Sequence, residues 1–385
     1  MKIGMIAPPW VAVPPPAYGG TEMVIDTLAR GLHGAGVDVV LFASRDSTCP
    51  VPRRTGPQPA VGFGVGAGVD ELRHVIAAYE ALRDCDVLHD HTLAGPLYRH
   101  RPPEVPVVTT NHGPFGDELT PIYRAMANDA AIVAISHHQA AVANARRVPV
   151  AAVIHHGIDP NRFPVGGGTG GYLAFLGRMT PDKGVHRAIQ VARAAGMPLR
   201  IAAKCREPHE QSYFDAQVRP LLGGGIEYVG EIGHIEKVAL LCDAVALVNP
   251  IRWPEPFGLV MIEALACGTP VVAFPEGAAP EIVDHCRTGF LCANEQAMVA
   301  AVRRVGDLDR RACRAAVEAR FSAAAMVDAH LRLYRRVLEG DTATAASKAR
   351  LALETTQNGN GRGNGVRPLA TAGVPGAQER DQEAS

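Results

Sequence analysis

Short apolar runs alternate with helical segments along most of the chain, and this alternation restricts the fold more than any other feature of the sequence. Continuous apolar runs of this kind are typical of parallel strands that are buried on both faces, and the helices between them are typical of their crossovers. The pattern predicts a doubly wound α/β domain in the first half of the chain. We predict its strands near residues 2–7, 38–43, 86–89, 105–109, 131–135 and 151–154, and its helices near 21–32, 69–83 and 137–145.

A glycine-rich segment at residues 165–171, VGGGTGG, interrupts this alternation, which then restarts. Glycine-rich segments often separate domains, because their backbone is only weakly restrained. We therefore predict two Rossmann-like α/β domains in tandem, residues 1–164 and 165–322, with a last helix over 323–338. From Asp341 onwards the sequence is poor in apolar residues, so we predict a disordered tail over residues 341–385.

The composition excludes several classes of function. A formal net charge of −1 gives no reason to expect a nucleic-acid partner. The eight cysteines are dispersed without a CxxC pair, so neither a zinc motif nor a thiol-redox motif is indicated. The sequence has no apolar stretch of transmembrane length, and its N-terminus lacks the apolar run of a signal peptide. We expect a reduced, cytoplasmic enzyme.

One glutamate lies inside an almost entirely apolar helix, predicted over residues 258–267. An ionised carboxylate such as Glu263 is rarely buried unless another group holds it. Sugar hydroxyls donate hydrogen bonds to carboxylates, so Glu263 is a candidate to bind a diol such as ribose. Glu255 lies just before the helix and is a candidate to bind a second sugar. The alternatives are a buried salt bridge from Glu263 to an arginine and a favourable helix N-terminal charge at Glu255.

Two further segments suggest phosphate binding. Gly19 and Gly20 precede a predicted helix, where the backbone can approach a ligand closely and the free N–H groups attract a phosphate. Arg178 and Lys183 flank the turn after the first strand of the second domain, where α/β proteins bind ligands. The alternatives are ordinary turn chemistry for the glycines and a solvated loop for the two cations.

Several motifs together resemble the retaining nucleotide-sugar glycosyltransferases of family 4. The segment EPFGLVMIE is similar to that family's glutamate–seven–glutamate motif. The segments YGGTE, HDHT, TTNHGPF, HHGID, GRMTPDKG and GAAPEIV occur in the family's order. The resemblance extends over residues 1–338 and is most specific from Arg252 to Glu281.

This resemblance implies a GT-B type fold, with the last helix crossing back onto the first domain. It also implies a UDP-, GDP- or ADP-sugar donor bound between the two domains, of which we expect a UDP- or GDP-sugar, and transfer with the anomeric configuration retained. It implies that Arg178 and Lys183 bind the donor diphosphate, that Glu263 binds the ribose and that Glu255 binds the transferred sugar. It also implies that His112 lines the sugar site. The remaining donor contacts it implies are backbone groups of Gly19 and Gly20 and helix-start amides at Phe257, Gly258 and Leu259.

No metal site and no cofactor other than the donor substrate are predicted. The Asp84–Asp86 segment, DCD, spells a metal-binding pattern of some glycosyltransferases, but it precedes a strand at the end away from the cleft. The HDH segment, His89–His91, offers no third metal ligand because side chains alternate along a strand, so we expect it to face the sugar or the acceptor instead. The sequence departs from the family pattern in two places. It has Ala278 and Ala279 where many members of the family have a pair of glycines, and it has His156 where they usually have asparagine.

Two other functions are compatible with the same architecture. One is a nucleotide-sugar 2-epimerase, which would transfer no sugar to an acceptor. The other is a sugar-nucleotide-binding protein without turnover, against which the presence of His112, Arg178, Lys183 and Glu255 argues. The hydroxyl acceptor is not identified by the sequence, and we expect it to contact mainly the first domain.

Overall fold

Two parallel β-sheets, each with helices on its faces, form two α/β lobes in the computed structural model. The structure describes residues 1–17, 19–56, 58–62 and 68–340, so the predicted disordered tail lies outside the described residues. Two tandem α/β domains are therefore present, as the sequence predicts. In the part of the chain that is described, no helix is both long and apolar enough to cross a membrane.

The first lobe contains a seven-stranded parallel sheet in the order β3-β2-β1-β4-β5-β6-β7. Its strands are β1 Lys2–Ile6, β2 Asp38–Ala43, β3 Arg53–Thr55, β4 Val87–Asp90, β5 Val107–Thr110, β6 Ala130–Ala134 and β7 Ala152–Val153. Its helices are α1 Gly20–Gly34, α2 Gly68–Ala81, α3 Thr120–Met126 and α4 His137–Ala145. The central strands are buried along almost their whole length, which explains their apolar sequences.

The second lobe contains a six-stranded parallel sheet in the order β10-β9-β8-β11-β12-β13. Its strands are β8 Leu173–Arg178, β9 Leu199–Lys204, β10 Ile226–Gly230, β11 Ala246–Asn249, β12 Val271–Ala273 and β13 Gly289–Leu291. The helices that follow in this half of the chain are α5 Val185–Ala195, α6 Pro208–Tyr213, α7 His234–Asp243, α8 Leu259–Ala266, α9 Ala279–Ile282, α10 Glu295–Val302, α11 Arg310–Arg320 and α12 Ala323–Leu338.

Four short elements, β3, α3, α6 and α9, are not predicted by the apolar pattern. Strand β3 has the sequence RRT and lies at the edge of its sheet, where one side of the strand has no neighbour and polar residues are tolerated. Helices α3 and α6 are short, and each has a proline in its first turn. Proline is favoured at that position, but a helix this short shows no clear period.

The last helix packs against the first lobe. Val327, Leu333 and Tyr334 of α12 belong to the same buried cluster as Ile3 of β1 and residues of α1. The chain crosses between the lobes twice, near Ile158 and near Ser322, and the two crossings lie side by side. The Ile158 amide donates to the Phe321 carbonyl, and the Ala323 amide donates to the Ile158 carbonyl. The closest approach is at Gly31 of α1, where an added Cβ would lie 2.5 Å from Val327 Cγ2. Only a residue without a side chain fits there.

We predict that Gly31→Ala destabilises the protein although alanine favours helices. Overpacking a close contact costs typically about 1–3 kcal/mol, which exceeds the helix-propensity gain of about 1 kcal/mol. The matched control is Gly34→Ala in the same helix, where an added Cβ meets nothing within 4 Å and should therefore be neutral or stabilising. Urea unfolding of the two variants provides the measurement. Equal effects at the two positions would contradict the packing of α12 on α1.

Candidate functional site between the two lobes

The predicted site residues follow the carboxyl ends of parallel strands in both lobes. In the first sheet the strand order reverses between β1 and β4, and in the second between β8 and β11. Crevices at such reversals are the usual ligand sites of α/β proteins. The glycine pair Gly19–Gly20 follows β1, Lys183 follows β8 and Glu255 follows β11. The topology therefore places these residues at the reversal points.

The start of helix α1 faces the start of helix α8 across the two lobes. An added Cβ at Gly20 would lie 3.5 Å from Leu259 Cδ1, in ordinary van der Waals contact. An added Cβ at Gly19 would lie 2.6 Å from Pro15 Cβ, so a side chain at this position would have to displace its neighbour. The structure thus brings together two helix N-termini whose free N–H groups can bind an anion.

Lys183 and Glu255 form an ion pair in this structure. Both side chains are largely removed from solvent, with 11% and 16% of their surface exposed. The Lys183 ammonium also lies 5.2 Å from the centre of the Trp253 ring, within range of a cation–π interaction. The family resemblance assigns these two residues to different parts of a ligand, Lys183 to the diphosphate and Glu255 to the sugar. The structure shows that their side chains also bind each other.

Glu263, the charged residue inside the apolar helix, pairs with Lys237. The carboxylate is 7% exposed and Lys237 reaches it from helix α7. A buried ion pair is one of the alternatives that the sequence leaves open, although the expected partner there is an arginine. The sequence does not identify Lys237, because only the packing of α7 beside α8 brings it to Glu263.

The Arg178 guanidinium has neither an ion-pair partner nor a side-chain hydrogen bond within the described ranges. It is the last residue of β8 and is partly buried. Partly buried arginines usually bind a carboxylate or phosphate, because the guanidinium carries five N–H donors in a fixed plane. Arg178 is therefore available to bind an anion at the carboxyl end of β8.

Gly258 is the residue before helix α8 and adopts a left-handed conformation with φ 96°. A side chain would be strained there, and an added Cβ would lie 2.6 Å from Met261 Cε. The preceding residue, Phe257, is 2% exposed and packs edge-on against His156 of the first lobe, with the ring centres 5.2 Å apart. This turn therefore directs the amides of Gly258 and Leu259 while Phe257 anchors it to the first lobe.

His112 belongs to a row of histidines that connects the first lobe to Phe257. Its Nε2 shares a hydrogen bond of 2.9 Å with Nδ1 of His91, and its ring stacks on His156 at 5.2 Å. His89 lies next to His91, at 4.1 Å between ring centres, and its Nδ1 bonds the Tyr334 hydroxyl at 2.7 Å. The sequence predicts a sugar- or acceptor-facing role for the HDH segment but not the contact of His91 with His112, because alternation along a strand contains no information about the loop holding His112.

The histidines in this row are neutral at physiological pH. Burial, together with the nearby His330, lowers the pKa of His112 to about 3. Burial and neighbouring histidines likewise hold the pKa values of His89, His91 and His156 well below the usual range. A neutral imidazole can accept or donate a hydrogen bond without adding charge. His112 is thus suited to contact an uncharged polar group such as a sugar hydroxyl.

Several buried polar atoms around the site have no hydrogen-bond partner within the described residues. They are Asn111 Nδ2 and His112 Nδ1 in the first lobe, and Thr180 Oγ1 and Trp253 Nε1 in the second. Buried polar atoms are hydrogen-bonded in the large majority of cases, because an unpaired one costs about 1–3 kcal/mol. Those that lie beside the predicted binding residues can be satisfied by a ligand with several hydrogen-bonding groups.

Glu281 of α9 connects the two lobes directly. Its Oε1 accepts from the His138 amide at 2.7 Å, and its Oε2 accepts from the His137 amide at 2.8 Å. His155 Nε2 lies 2.7 Å from the same Oε2. Burial opposes ionisation, but these hydrogen bonds outweigh it and lower the pKa of Glu281. The motif containing Glu281 does not indicate that its partners lie in the other lobe.

The DCD segment is involved in surface ion pairs. Asp84 pairs with Arg54 and Lys2, which lower its pKa, and Asp86 accepts from the Lys2 amide at 2.7 Å. Both aspartates precede β4, at the amino ends of the strands and opposite the crevice. Their placement agrees with the interpretation of this segment as a turn.

Glu22 of helix α1 is a buried carboxylate that the sequence pattern does not single out. It lies in the first turn of α1, 6% exposed, with Oε2 directed toward Gly19. Burial raises its pKa to about 7, although its own backbone N–H favours the ionised form. A carboxyl group with such a pKa is half protonated near neutral pH.

Two family models match the chain one after the other. A model described as Glycosyltransferase Family 4 matches residues 18–162, and a model described as Glycosyl transferases group 1 matches residues 170–307. The first match lies in the first lobe, and the second covers the strands of the second lobe. The junction between the matches overlaps the glycine-rich segment at residues 165–171.

Individual relatives match to different extents. Phosphatidyl-myo-inositol mannosyltransferase of Mycobacterium leprae is 25% identical over 396 residues, which cover 91% of this chain and 100% of the relative. Glycogen synthase of Mycobacterium tuberculosis is 38% identical over 180 residues, 44% of this chain and 42% of the synthase. The chain thus matches less than half of the length of the synthase.

Solved structures match over both lobes. AviGT4, a glycosyltransferase involved in Avilamycin A biosynthesis, has a TM-score of 0.68 and 25% identity over 88% of this chain and 98% of AviGT4. Anabaena HepE, in complex with UDP and glucose, has a TM-score of 0.68 and 19% identity over 86% of this chain and 98% of HepE. These matches confirm the predicted pair of Rossmann-like domains.

We predict that Glu22→Gln changes the pH dependence of stability. The pKa of Glu22 is about 7 in the folded protein, against 4.5 for an unperturbed glutamate, so the folded protein binds the proton more tightly. Stability from this group is therefore present at low pH and lost as the pH rises from about 4.5 to above 7. One pKa unit corresponds to about 1.4 kcal/mol, so the loss is on the order of 3 kcal/mol.

The measurement is the free energy of unfolding in urea at pH 5 and pH 8. Wild type should lose more stability than Glu22→Gln between the two values. The matched control is the exposed Glu118, whose Glu118→Gln variant should follow wild type. If Glu22→Gln also follows wild type, the burial argument for Glu22 is wrong.

Proposed function

This chain belongs to the family-4 glycosyltransferases of the GT-B type, and we propose that it transfers a sugar from a nucleoside diphosphate sugar to a hydroxyl acceptor. We further propose that the donor is a UDP- or GDP-sugar, that the anomeric configuration is retained and that no metal ion takes part. The observation that carries the proposal is the charge pattern of the second lobe. Two cations, Arg178 and Lys183, lie at the carboxyl end of β8, and a buried carboxylate, Glu263, lies in α8.

The two cations suit a diphosphate. Arg178 has no competing side-chain partner in the described part of the chain, and Lys183 is held by one carboxylate only. A diphosphate can replace that carboxylate because it offers several anionic oxygens to the same ammonium group. The negative charge that develops on the departing diphosphate strengthens these contacts in the transition state. Arg178 and Lys183 thus supply the positive charge that a metal ion provides in other enzymes.

When the diphosphate replaces Glu255 as the partner of the Lys183 ammonium group, Glu255 becomes free to bind the sugar. Sugar hydroxyls donate hydrogen bonds to a carboxylate, so Glu255 can replace its lost ammonium partner with hydroxyl groups. His112 can also form hydrogen bonds with sugar hydroxyls, but as an uncharged group, because burial lowers its pKa and keeps the imidazole neutral. Glu263 binds the ribose hydroxyls, with Lys237 holding its carboxylate in place. The helix-start amides of α1 and α8 add donors for the phosphates.

Relatives support the details of the donor. HepE was crystallised with UDP and glucose, and the match of this chain to that structure supports a nucleoside diphosphate as the ligand. The relatives named above include a mannosyltransferase and a glycogen synthase, which supports a hexose as the transferred group. Retention rests on the resemblance of EPFGLVMIE to the retaining members of the family. The epimerase and the non-catalytic binding protein are not favoured by this family membership.

A ligand screen followed by a transfer assay tests the proposal. UDP-, GDP- and ADP-sugars are screened for protection against thermal unfolding, since a ligand at 100 times its Kd adds about 2.7 kcal/mol. The protecting donor is then incubated with the enzyme and an extract of candidate acceptors. Release of the nucleoside diphosphate together with a glycosylated product of retained configuration supports the proposal. A donor that is only isomerised, or no protection by any donor, contradicts it.

We predict that substitutions at the site separate nucleotide binding from sugar transfer. Arg178→Ala and Lys183→Ala should each weaken binding of free UDP or GDP by about 10- to 100-fold, because a charge-assisted hydrogen bond is worth roughly 1.5–3 kcal/mol. Glu263→Ala should weaken it similarly, since the ribose is part of the free nucleotide. Glu255→Gln should not weaken nucleotide binding, because Lys183 then has no ion pair to break before it binds the diphosphate. Turnover should nevertheless fall sharply, because Glu255 is proposed to bind the transferred sugar.

Isothermal titration with UDP and GDP, beside the transfer assay, provides the measurement. The control is Arg303→Ala, which removes an exposed arginine of the second lobe and should change neither quantity. A loss of nucleotide affinity in Glu255→Gln as large as in Lys183→Ala would contradict the assignment of Glu255 to the sugar.

We predict that EDTA leaves turnover unchanged. The diphosphate is neutralised by Arg178 and Lys183, and the Asp84–Asp86 segment is committed to Lys2 and Arg54 at the opposite end of the sheet. The measurement is the initial rate before and after chelation, with Mg²⁺ or Mn²⁺ added back. A rate abolished by EDTA and restored by either ion would overturn the metal-free mechanism.

A further inference from the structure

Two histidines and a glutamate meet at the junction of the lobes. His137 begins α4 and His155 follows β7, both in the first lobe, whereas Glu281 lies in α9 of the second. One ligand atom from each residue can be chosen so that the three atoms lie within 4.8 Å of one another. They form the one group of this kind in the described part of the chain. The three residues are far apart in sequence, so folding alone brings them together.

We propose that His137, His155 and Glu281 form a binding site for a late first-row divalent cation, with Zn²⁺ as its most suitable ion. Two imidazole nitrogens and one carboxylate oxygen are a typical protein ligand set for Zn²⁺, with a fourth position left for water. Imidazole also binds Co²⁺ and Ni²⁺, whereas Mg²⁺ and Ca²⁺ prefer oxygen ligands. The site should therefore discriminate against Mg²⁺ and Ca²⁺.

His155 and Glu281 require only a small adjustment, whereas the His137 ring must move closer, because the three ligand atoms lie within 4.8 Å of one another. His155 Nε2 and Glu281 Oε2 are 2.7 Å apart and share a hydrogen bond. Two ligands of a tetrahedral ion with bonds of about 2.0–2.1 Å are separated by about 3.3 Å. The pair must therefore open by roughly half an ångström as the ion replaces the shared proton. His137 is exposed, so its ring can turn toward the ion without displacing buried groups.

The surroundings hold the carboxylate in the required orientation. Glu281 Oε1 accepts from the His138 amide at 2.7 Å, and this bond can persist when Oε2 binds a metal. Such outer contacts orient metal ligands and contribute to affinity. The N-terminus of α4 carries a partial positive charge that opposes a cation, but the ionised Glu281 lies against it and compensates.

A metal at this position would join the lobes. His137 and His155 belong to the first lobe and Glu281 to the second, so one ion would be bonded to both. An ion that binds only the folded protein raises Tm in proportion to the logarithm of its concentration above Kd. The site does not include Lys183, Glu255 or Glu263, so metal binding and sugar transfer can be tested separately.

The test measures metal binding to the full chain directly. The protein, stripped with chelator, is titrated with Co²⁺, whose visible absorption reports its coordination geometry, and then with Zn²⁺ as a competitor. Tm is recorded with Zn²⁺ and with Mg²⁺. The variants are His137→Ala, which retains the backbone amide that binds Glu281, and Glu281→Gln. The control is His209→Ala, which removes an exposed histidine of the second lobe.

The proposal predicts one ion bound per chain, an increase in Tm with Zn²⁺ but not with Mg²⁺, and at least a tenfold weaker affinity in His137→Ala. His209→Ala should bind like wild type. Because Glu281→Gln can also loosen the contact between the lobes, His137→Ala is the decisive variant. Equal affinity in His137→Ala and wild type, or no saturable Co²⁺ binding in wild type, would overturn the proposal.

Discussion

The ion pair between Lys183 and Glu255 is the interaction on which the rest of the site depends. Removing two charges from water is unfavourable unless each finds a partner, and both side chains here are largely buried. A ligand that separates this pair must offer each charge a replacement. A nucleoside diphosphate sugar does so, with phosphate oxygens for the ammonium group and hydroxyl groups for the carboxylate. On the proposed function, the ion pair therefore favours a ligand that carries both kinds of group.

The surrounding structure places this pair accurately. Gly184 and Gly258, the residues before helices α5 and α8, both adopt left-handed conformations, with φ 79° and 96°. These turns let the two helices begin directly after Lys183 and Phe257. An added Cβ at Gly184 would lie 2.5 Å from the Pro250 carbonyl oxygen, so the two loops touch there. Two glycines therefore bring the loops after β8 and β11 close enough for their charges to pair.

Much of the fold could be predicted because it depends on local patterns. Buried parallel strands have continuous apolar sequences, and the glycine-rich segment interrupts their alternation between the two lobes. The short elements β3, α3, α6 and α9 could not be predicted, because they are too short or too polar to show a period. In the site, Glu263 was identifiable because a charge inside an apolar helix needs a partner. Lys237, the contact of His91 with His112 and the lobe-to-lobe contacts of Glu281 were not, because they depend on how elements pack.

The most direct test of this exchange of partners is a double-mutant cycle of Lys183→Met and Glu255→Gln, measured with and without the nucleoside diphosphate that binds. Contacting charges typically show coupling energies of about 0.5–3 kcal/mol in such cycles. We expect clear coupling in the free energy of unfolding of the protein without nucleotide. We also expect the coupling to fall toward zero when saturating diphosphate takes over Lys183. Coupling that is absent without nucleotide, or that persists undiminished with diphosphate bound, would contradict the exchange of partners at this site.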